Sequence, residues 1–249
     1  MAGFRRNYQA DATEMEGAAV AQICFQQNLP FLIIRSISDK ANEVAPADFQ
    51  TFKKVAADYP RTPEALEAVS TARLIYMDNG KVDEYASWVR TLDFVEVSDA
   101  ELDNDTYEAA EKQYLQNNTK QAISGLSSYV SKFPNGIHAL KANFYLAQSY
   151  YADGLEANAV SGYEFVISKS RSEFTEQSLA RLCEIHLKKN DYTKAVPVLK
   201  RLETDADFPQ NVTFAQANLM RAYYEQKDYA NAVVYADKVL ANPKTDNKV

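Results

Sequence analysis

The sequence predicts a mainly α protein: a solenoid of five helical hairpins over residues 62–249, preceded by a short α/β segment of helix, single strand and helix. Two observations carry this prediction. The first is a period. Tyr85, Ala122, Ala159, Ala195 and Ala232 hold one place early in a second helix, at separations of 122 − 85 = 37, 159 − 122 = 37, 195 − 159 = 36 and 232 − 195 = 37. Nine residues before each stands Tyr76, Gln113, Tyr150, His186 or Tyr223, and thirteen before stands Ala72, Ala109, Leu146, Leu182 or Leu219. Such a recurrence marks stacked hairpins, because one hairpin cannot cover its own apolar face. The second observation is composition. Hydrophobic residues make up 46%, with only seven glycines and eight prolines, which suits long helices joined by short turns. Sixteen tyrosines and twelve phenylalanines stand against one tryptophan, a balance suited to rings filling gaps between neighbouring helix faces.

Along the chain, Thr13-Glu14-Met15-Glu16-Gly17 opens a helix rich in small residues that runs through Cys24 and Phe25. Pro30 then precedes Phe31-Leu32-Ile33-Ile34, a continuous apolar run of the kind a strand covered on both faces shows. Arg35-Ser36-Ile37-Ser38-Asp39 follows at the strand's exit, the carboxyl edge where α/β sheets gather functional groups. Residues 1–48 therefore form one segment, 49–61 a junction helix, and 62–249 the repeats. Pro63, a favoured first-turn residue, starts the first hairpin, with helices over 63–77 and 82–92 about a turn at Asp78-Asn79-Gly80. Asp93 to Ser98 reads as a loop, with Asp99 to Leu102 after it. The second hairpin covers 103–133 and stops at Pro134-Asn135-Gly136. The third covers 137–170, the fourth 173–204 and the fifth 212–241. After Ala241 the sequence reads Asn242-Pro243-Lys244 onward, with no polar helix to cover the last hairpin. Stacked repeats need such a cap, so the expectation is either that the parent array continued or that the exposed end takes a partner, a second copy included.

A net charge of −7 argues against a nucleic-acid footprint or an anionic membrane surface. No apolar run spans a bilayer, and no apolar core follows Arg5-Arg6, so no signal peptide is visible and the cytoplasm is the default compartment. Cys24 and Cys183 each lie inside an apolar helical pattern and read as buried thiols. His138 and His186 lack ligand partners at metal spacing, so neither a metal nor a cofactor is expected.

Residues 13–57 resemble the C-terminal part of the 5′-methylthioadenosine/S-adenosylhomocysteine nucleosidases of the purine nucleoside phosphorylase superfamily. Glu14-Met15-Glu16, Arg35-Ser36-Ile37-Ser38-Asp39 and Asp48-Phe49 stand in that family's order. The resemblance implies hydrolysis of the adenine–ribose bond, with Glu16 gripping the ribose hydroxyls and Met15 packing on the sugar. It implies Asp39 as the general acid on the purine, Ser38 orienting it, and Phe49 closing over the base. Protonating the leaving base makes chemical sense, since adenine departs poorly as an anion. Beside this stands a structural reading: Thr13 with Glu16 is also a capping box, and Asp39 can cap a turn. The portions supplying the water-activating glutamate and most of the pocket are missing, so the segment is expected to be inactive alone.

The hairpins resemble tetratricopeptide repeats, slightly longer than that family's period of about 34 residues. Asp191-Tyr192-Thr193-Lys194-Ala195 and Asp228-Tyr229-Ala230-Asn231-Ala232 match its entry to the second helix. Leu126, Tyr163 and Leu199 take its large apolar position, and Pro134 its terminal proline. Tyr85, Gln113 and Ala236 depart from it. The resemblance implies a right-handed solenoid that binds a protein or peptide on a concave face of first helices. On that face fall Tyr107, Glu111 and Tyr114, then Phe144, Gln148 and Tyr151, then Glu184 and Lys188, then Arg221 and Tyr224. Rings give area at small entropy cost and charges set register; several of the same rings could instead pack between hairpins. A two-carboxylate clamp is not expected, since its lysine place reads Ser70, Tyr107, Phe144, Ala180 and Ala217.

Overall fold

The computed structural model describes residues 49–241. Every regular element among them is an α-helix, as a solenoid of hairpins requires. The helices are α1 (Phe49–Asp58), α2 (Pro63–Asp78), α3 (Val82–Val89), α4 (Asp99–Leu115), α5 (Thr119–Lys132), α6 (Ala139–Ala152), α7 (Glu156–Ser168), α8 (Thr175–Lys188), α9 (Tyr192–Asp205), α10 (Pro209–Glu225) and α11 (Tyr229–Leu240). The helix and strand expected before Phe49 lie outside the described residues. The chain divides into two compact units between Ile75 and Tyr76, within the α2 segment.

In the first unit, Thr62 caps α2: its hydroxyl accepts the Ala65 amide at 3.2 Å and donates to the Tyr59 carbonyl at 2.8 Å. Ala65, Ala68, Val69 and Ala72 are buried, the i, i+3, i+4, i+7 stripe of a helix that covers one face.

The second unit explains why the period is so even. Each hairpin turns on one residue in the left-handed region: Gly80 (φ 67°), Asn117 (59°), Gly154 (76°), Asn190 (53°) and Lys227 (62°). The following amide returns to the carbonyl of Tyr76, Gln113, Tyr150, His186 or Tyr223 at 2.8–2.9 Å. This closes the last carbonyls of the first helix in a Schellman arrangement. The periodic position nine residues before the small residue is therefore a backbone landmark, which is why tyrosine, glutamine and histidine all serve there. Asp191 and Asp228 then cap the next helix, each carboxylate accepting an amide three residues on at 3.2 Å, the usual work of an N-cap aspartate.

Ala122, Ala159 and Ala195 are fully buried, because second helix and first helix approach closely there. Gly125 and Gly162, one turn on, mark the tightest approach: a Cβ at Gly125 would stand 2.9 Å from Cβ of Ala110. Leu126, Tyr163 and Leu199 are buried completely, and each fills the seam to the next hairpin. Leu126 and Tyr129 meet Ala142 and Leu146. Tyr163 and Val166 meet Leu182 and Ile185. Leu199 and Leu202 meet Ala215 and Leu219. Cys183 is a buried free thiol, and burial pushes its pKa up to about 12.

Three helix boundaries differ from the sequence reading by three residues or more. Helix α4 begins at Asp99 rather than Asp103, because Ser98 and Glu101 form a complete capping box. Helix α10 begins at Pro209 rather than Val212, with proline in its first turn. Helix α3 ends at Val89, where the Thr91 and Leu92 amides turn back to the carbonyls of Trp88 and Val89.

Candidate functional site

The first helices of hairpins two to five are α4, α6, α8 and α10, and they present the predicted binding residues. On α4 the Tyr107 hydroxyl donates to Glu111 at 2.8 Å. The Tyr107 ring stacks on His138 with centroids 4.1 Å apart. Glu111 also takes the Lys141 ammonium from α6 at 2.7 Å. Burial raises the Glu111 pKa, but hydrogen bonds from Lys141 and Tyr107 outweigh it and hold the carboxylate below its ordinary value. For Tyr107 burial and the neighbouring carboxylate act together, and the phenol pKa is driven far up. Tyr114 lies flat on Tyr145 with centroids 4.0 Å apart, and Phe144 stacks on Phe174 at 4.6 Å.

These rings divide into two sorts. Tyr107 is 2% exposed and Phe144 5%, so both pack under the surface between hairpins. Tyr114, Gln148 and Tyr151 are half-buried on it. The Gln148 carbonyl accepts the Tyr163 hydroxyl at 3.0 Å. Tyr151 donates to Glu184 at 2.9 Å, and the Arg181 guanidinium sits 4.4 Å from the Tyr151 centroid while bonding Glu184 at 2.7 Å. Lys188 pairs with Glu156 at 2.7 Å. Arg221 and Tyr224 are exposed, with Tyr224 edge-on to Tyr229 at 5.6 Å.

A cleft of about 400 Å³ crosses this face, walled by Tyr114 and Leu115 of α4, Asn117 of the turn, Gln148 and Ala152 of α6, and Gln177 of α8. It unites two predicted residues, Tyr114 and Gln148. Sequence reasoning missed Leu115, Asn117 and Gln177, as well as Lys141 and Arg181, which neutralise Glu111 and Glu184. Asn117 could have been found from the Schellman position; the others carry no local signal.

A buried node holds the face in place. Asp103 accepts the Tyr129 hydroxyl at 2.5 Å and the Ile137 amide at 3.2 Å. The same hydroxyl receives the His138 amide at 3.1 Å, and His138 Nε2 meets Asn104 Oδ1 at 2.9 Å. The turn before α6 is thereby tied to α4, and the His138 ring is aimed onto Tyr107. Gly136 is required here: a Cβ would lie 2.5 Å from both Asp103 Oδ2 and the Tyr129 hydroxyl.

Met15, Glu16, Ser38 and Asp39 lie outside the described residues, and so does the side chain of Phe49, which opens α1. Among the described residues no group of three histidines, cysteines or carboxylates is placed to hold a metal. No described helix is long and apolar enough to cross a membrane.

Comparison with known proteins finds two different matches, one at each end of the chain. Residues 1–72 match the phosphorylase superfamily model, and residues 172–249 match the model of the YfiO outer membrane lipoproteins. A 5′-methylthioadenosine/S-adenosylhomocysteine nucleosidase of Shewanella frigidimarina is 58% identical over 50 residues, 20% of this chain and 22% of that protein. The nucleosidase of Shewanella loihica is 56% identical over 41 residues, 16% of this chain and 18% of its own length. The chain thus spans about a fifth of the length of the curated relatives it matches. What these matches support is a nucleosidase-like segment at the start of the chain and a helical-repeat region at its end.

Proposed function

We propose that residues 62–249 form a non-enzymatic tetratricopeptide-like scaffold that binds a peptide or protein segment across the first helices, with residues 1–48 as an incomplete and inactive nucleosidase segment. The observation that carries this reading is the cleft spanning α4, α6 and α8 beside half-buried rings already fixed in place. Tyr114 is held by Tyr145, and Tyr151 by Glu184 and Arg181. Rings fixed before a ligand arrives lose little freedom on binding. Panning random peptides against the full chain tests the idea. Enriched peptides should bind a Tyr114→Ala, Tyr151→Ala double variant at least tenfold more weakly; equal binding would place the partner elsewhere.

The segment's 58% identity to a nucleosidase over 50 residues favours one second reading. Completed by another chain, this segment would release adenine from methylthioadenosine, with Glu16 on the ribose and Asp39 as general acid. Adenine release by the full chain with a nucleosidase fragment added, abolished by Asp39→Asn, would establish it. Its absence under those conditions leaves only the scaffold.

A further inference from the structure

We infer that the cleft between α4, α6 and α8 selects an uncharged apolar side chain from an extended peptide and holds the adjoining peptide backbone through amide side chains. This rests on the peptide-binding reading above and specifies what that site takes.

The first argument is electrostatic. No wall of the cleft carries an ionised side chain. Among the face residues of α4, α6 and α8 the charges are already engaged: Lys141 with Glu111, Arg181 with Glu184, and Lys188 with Glu156. A carboxylate or ammonium entering the cleft would shed water and meet no counter-ion, and an unpaired desolvated charge is strongly disfavoured.

The second argument is hydrogen-bonding capacity. The Asn117 and Gln177 side chains form none of the hydrogen bonds made among the described residues. Gln148 commits its carbonyl to Tyr163 and keeps its two amide hydrogens. Three carboxamides therefore line one cleft with donors and acceptors to spare, the complement of a peptide backbone. An apolar anchor has its own wall. Leu115 is 65% exposed beside Tyr114, whose ring is fixed by its stack on Tyr145. A volume near 400 Å³ admits one leucine or phenylalanine side chain with its flanking amides.

Capped peptides of sequence Gly-Ser-Gly-Xaa-Gly-Ser-Gly, with leucine, phenylalanine, aspartate or lysine at Xaa, test this by amide shift perturbation on the isotopically labelled full chain. The leucine and phenylalanine peptides should perturb the amides of Leu115, Asn117 and Gln177. They should bind at least tenfold more tightly than the charged peptides, with affinity unchanged by added salt. Leu115→Asp should remove that preference and Gln177→Ala should weaken all four peptides. Both sites are exposed, and unchanged melting curves would show that the fold is retained. Charged peptides binding as well as leucine, or no peptide perturbing the cleft, overturns the inference. Panned peptides that still require Tyr114 and Tyr151 would leave the broader binding reading standing.

Discussion

Gly162→Ala sets two opposing effects against each other, and the structure decides the sign. Alanine is favoured over glycine in a helix interior by about 1 kcal/mol, so an unobstructed substitution should stabilise α7. Gly162 is obstructed. Its new Cβ would stand 2.7 Å from the Asn143 carbonyl oxygen and 2.9 Å from Cβ of Ala147, both on α6. Comfortable contacts of these kinds lie at about 3.3 Å and about 3.5 Å or more. The helices must therefore separate by roughly 0.6 Å, and neither a carbonyl nor a Cβ can rotate away. Overpacking of this sort costs about 1–3 kcal/mol, leaving a net destabilisation of about 1 kcal/mol. Urea unfolding followed by helical circular dichroism should show a lower midpoint with an unchanged slope. A midpoint raised by the full propensity gain would refute the close approach of α6 and α7. Gly154→Ala is the contrasting control: nothing lies within 4 Å of its Cβ, but φ is +76°, so its loss of about 1 kcal/mol comes from backbone strain alone.

Lys227 occupies the left-handed turn position with φ 62°, so Lys227→Gly should stabilise by about 0.5–1 kcal/mol, the strain relieved less the added flexibility of the unfolded chain; a lower urea midpoint would contradict this. Tyr129→Phe leaves buried Asp103 with the Ile137 amide but without its hydroxyl donor. It should cost about 1–3 kcal/mol and alter the near-ultraviolet dichroism of the Tyr107–His138 stack. His186 is held below its ordinary pKa of 6.5, chiefly by burial, with Asp191 and Glu164 opposing and Lys194 and Lys189 reinforcing. The unfolded chain therefore takes up a proton that the fold resists, and stability should decline as pH falls below about 6.5. His186→Gln should flatten that decline in thermal midpoints measured between about pH 5 and pH 8.

Much of the fold was legible because it is carried by local backbone rules. Gly80 and Asn117 favour the left-handed turn, Asp191 and Asp228 cap, and the alanine after each turn from the second onward admits a neighbouring helix. Where boundaries slipped, the signals were present at Ser98-x-x-Glu101 and Pro209, but a period counted from the second helices does not reach the starts of the first. The face was less legible. Tyr107 and Tyr114 are both tyrosines, seven residues apart on α4. One is buried because the turn before α6 folds over it, and the other stays half-open because its cover is a ring on the next first helix. That difference depends on residues thirty or more positions away, and helical periodicity does not encode it.

The same contrast separates stacking positions from the variable ones. Turn, cap and small-residue positions repeat along the array and serve only to stack one hairpin on the next. Other positions on the first helices do not repeat: the place held by buried Tyr107 becomes buried Phe144, then Ala180, then Ala217. Where rings fill that place, helices α4 and α6 are bridged by the Tyr107–His138 and Tyr114–Tyr145 stacks, and the cleft opens along the same edge. Where alanine fills it, α10 presents the exposed groups Arg221 and Tyr224. On the proposed reading, a partner would meet an uncharged notch at one end, and at the other Arg221 and a Tyr224 ring set edge-on to Tyr229. One repeat later Tyr151 holds the place of Tyr114 and Arg181 that of Tyr145, so Tyr145→Arg carries the later pairing into the cleft. It should erase the selectivity proposed for the capped peptides while leaving the helical content by circular dichroism intact.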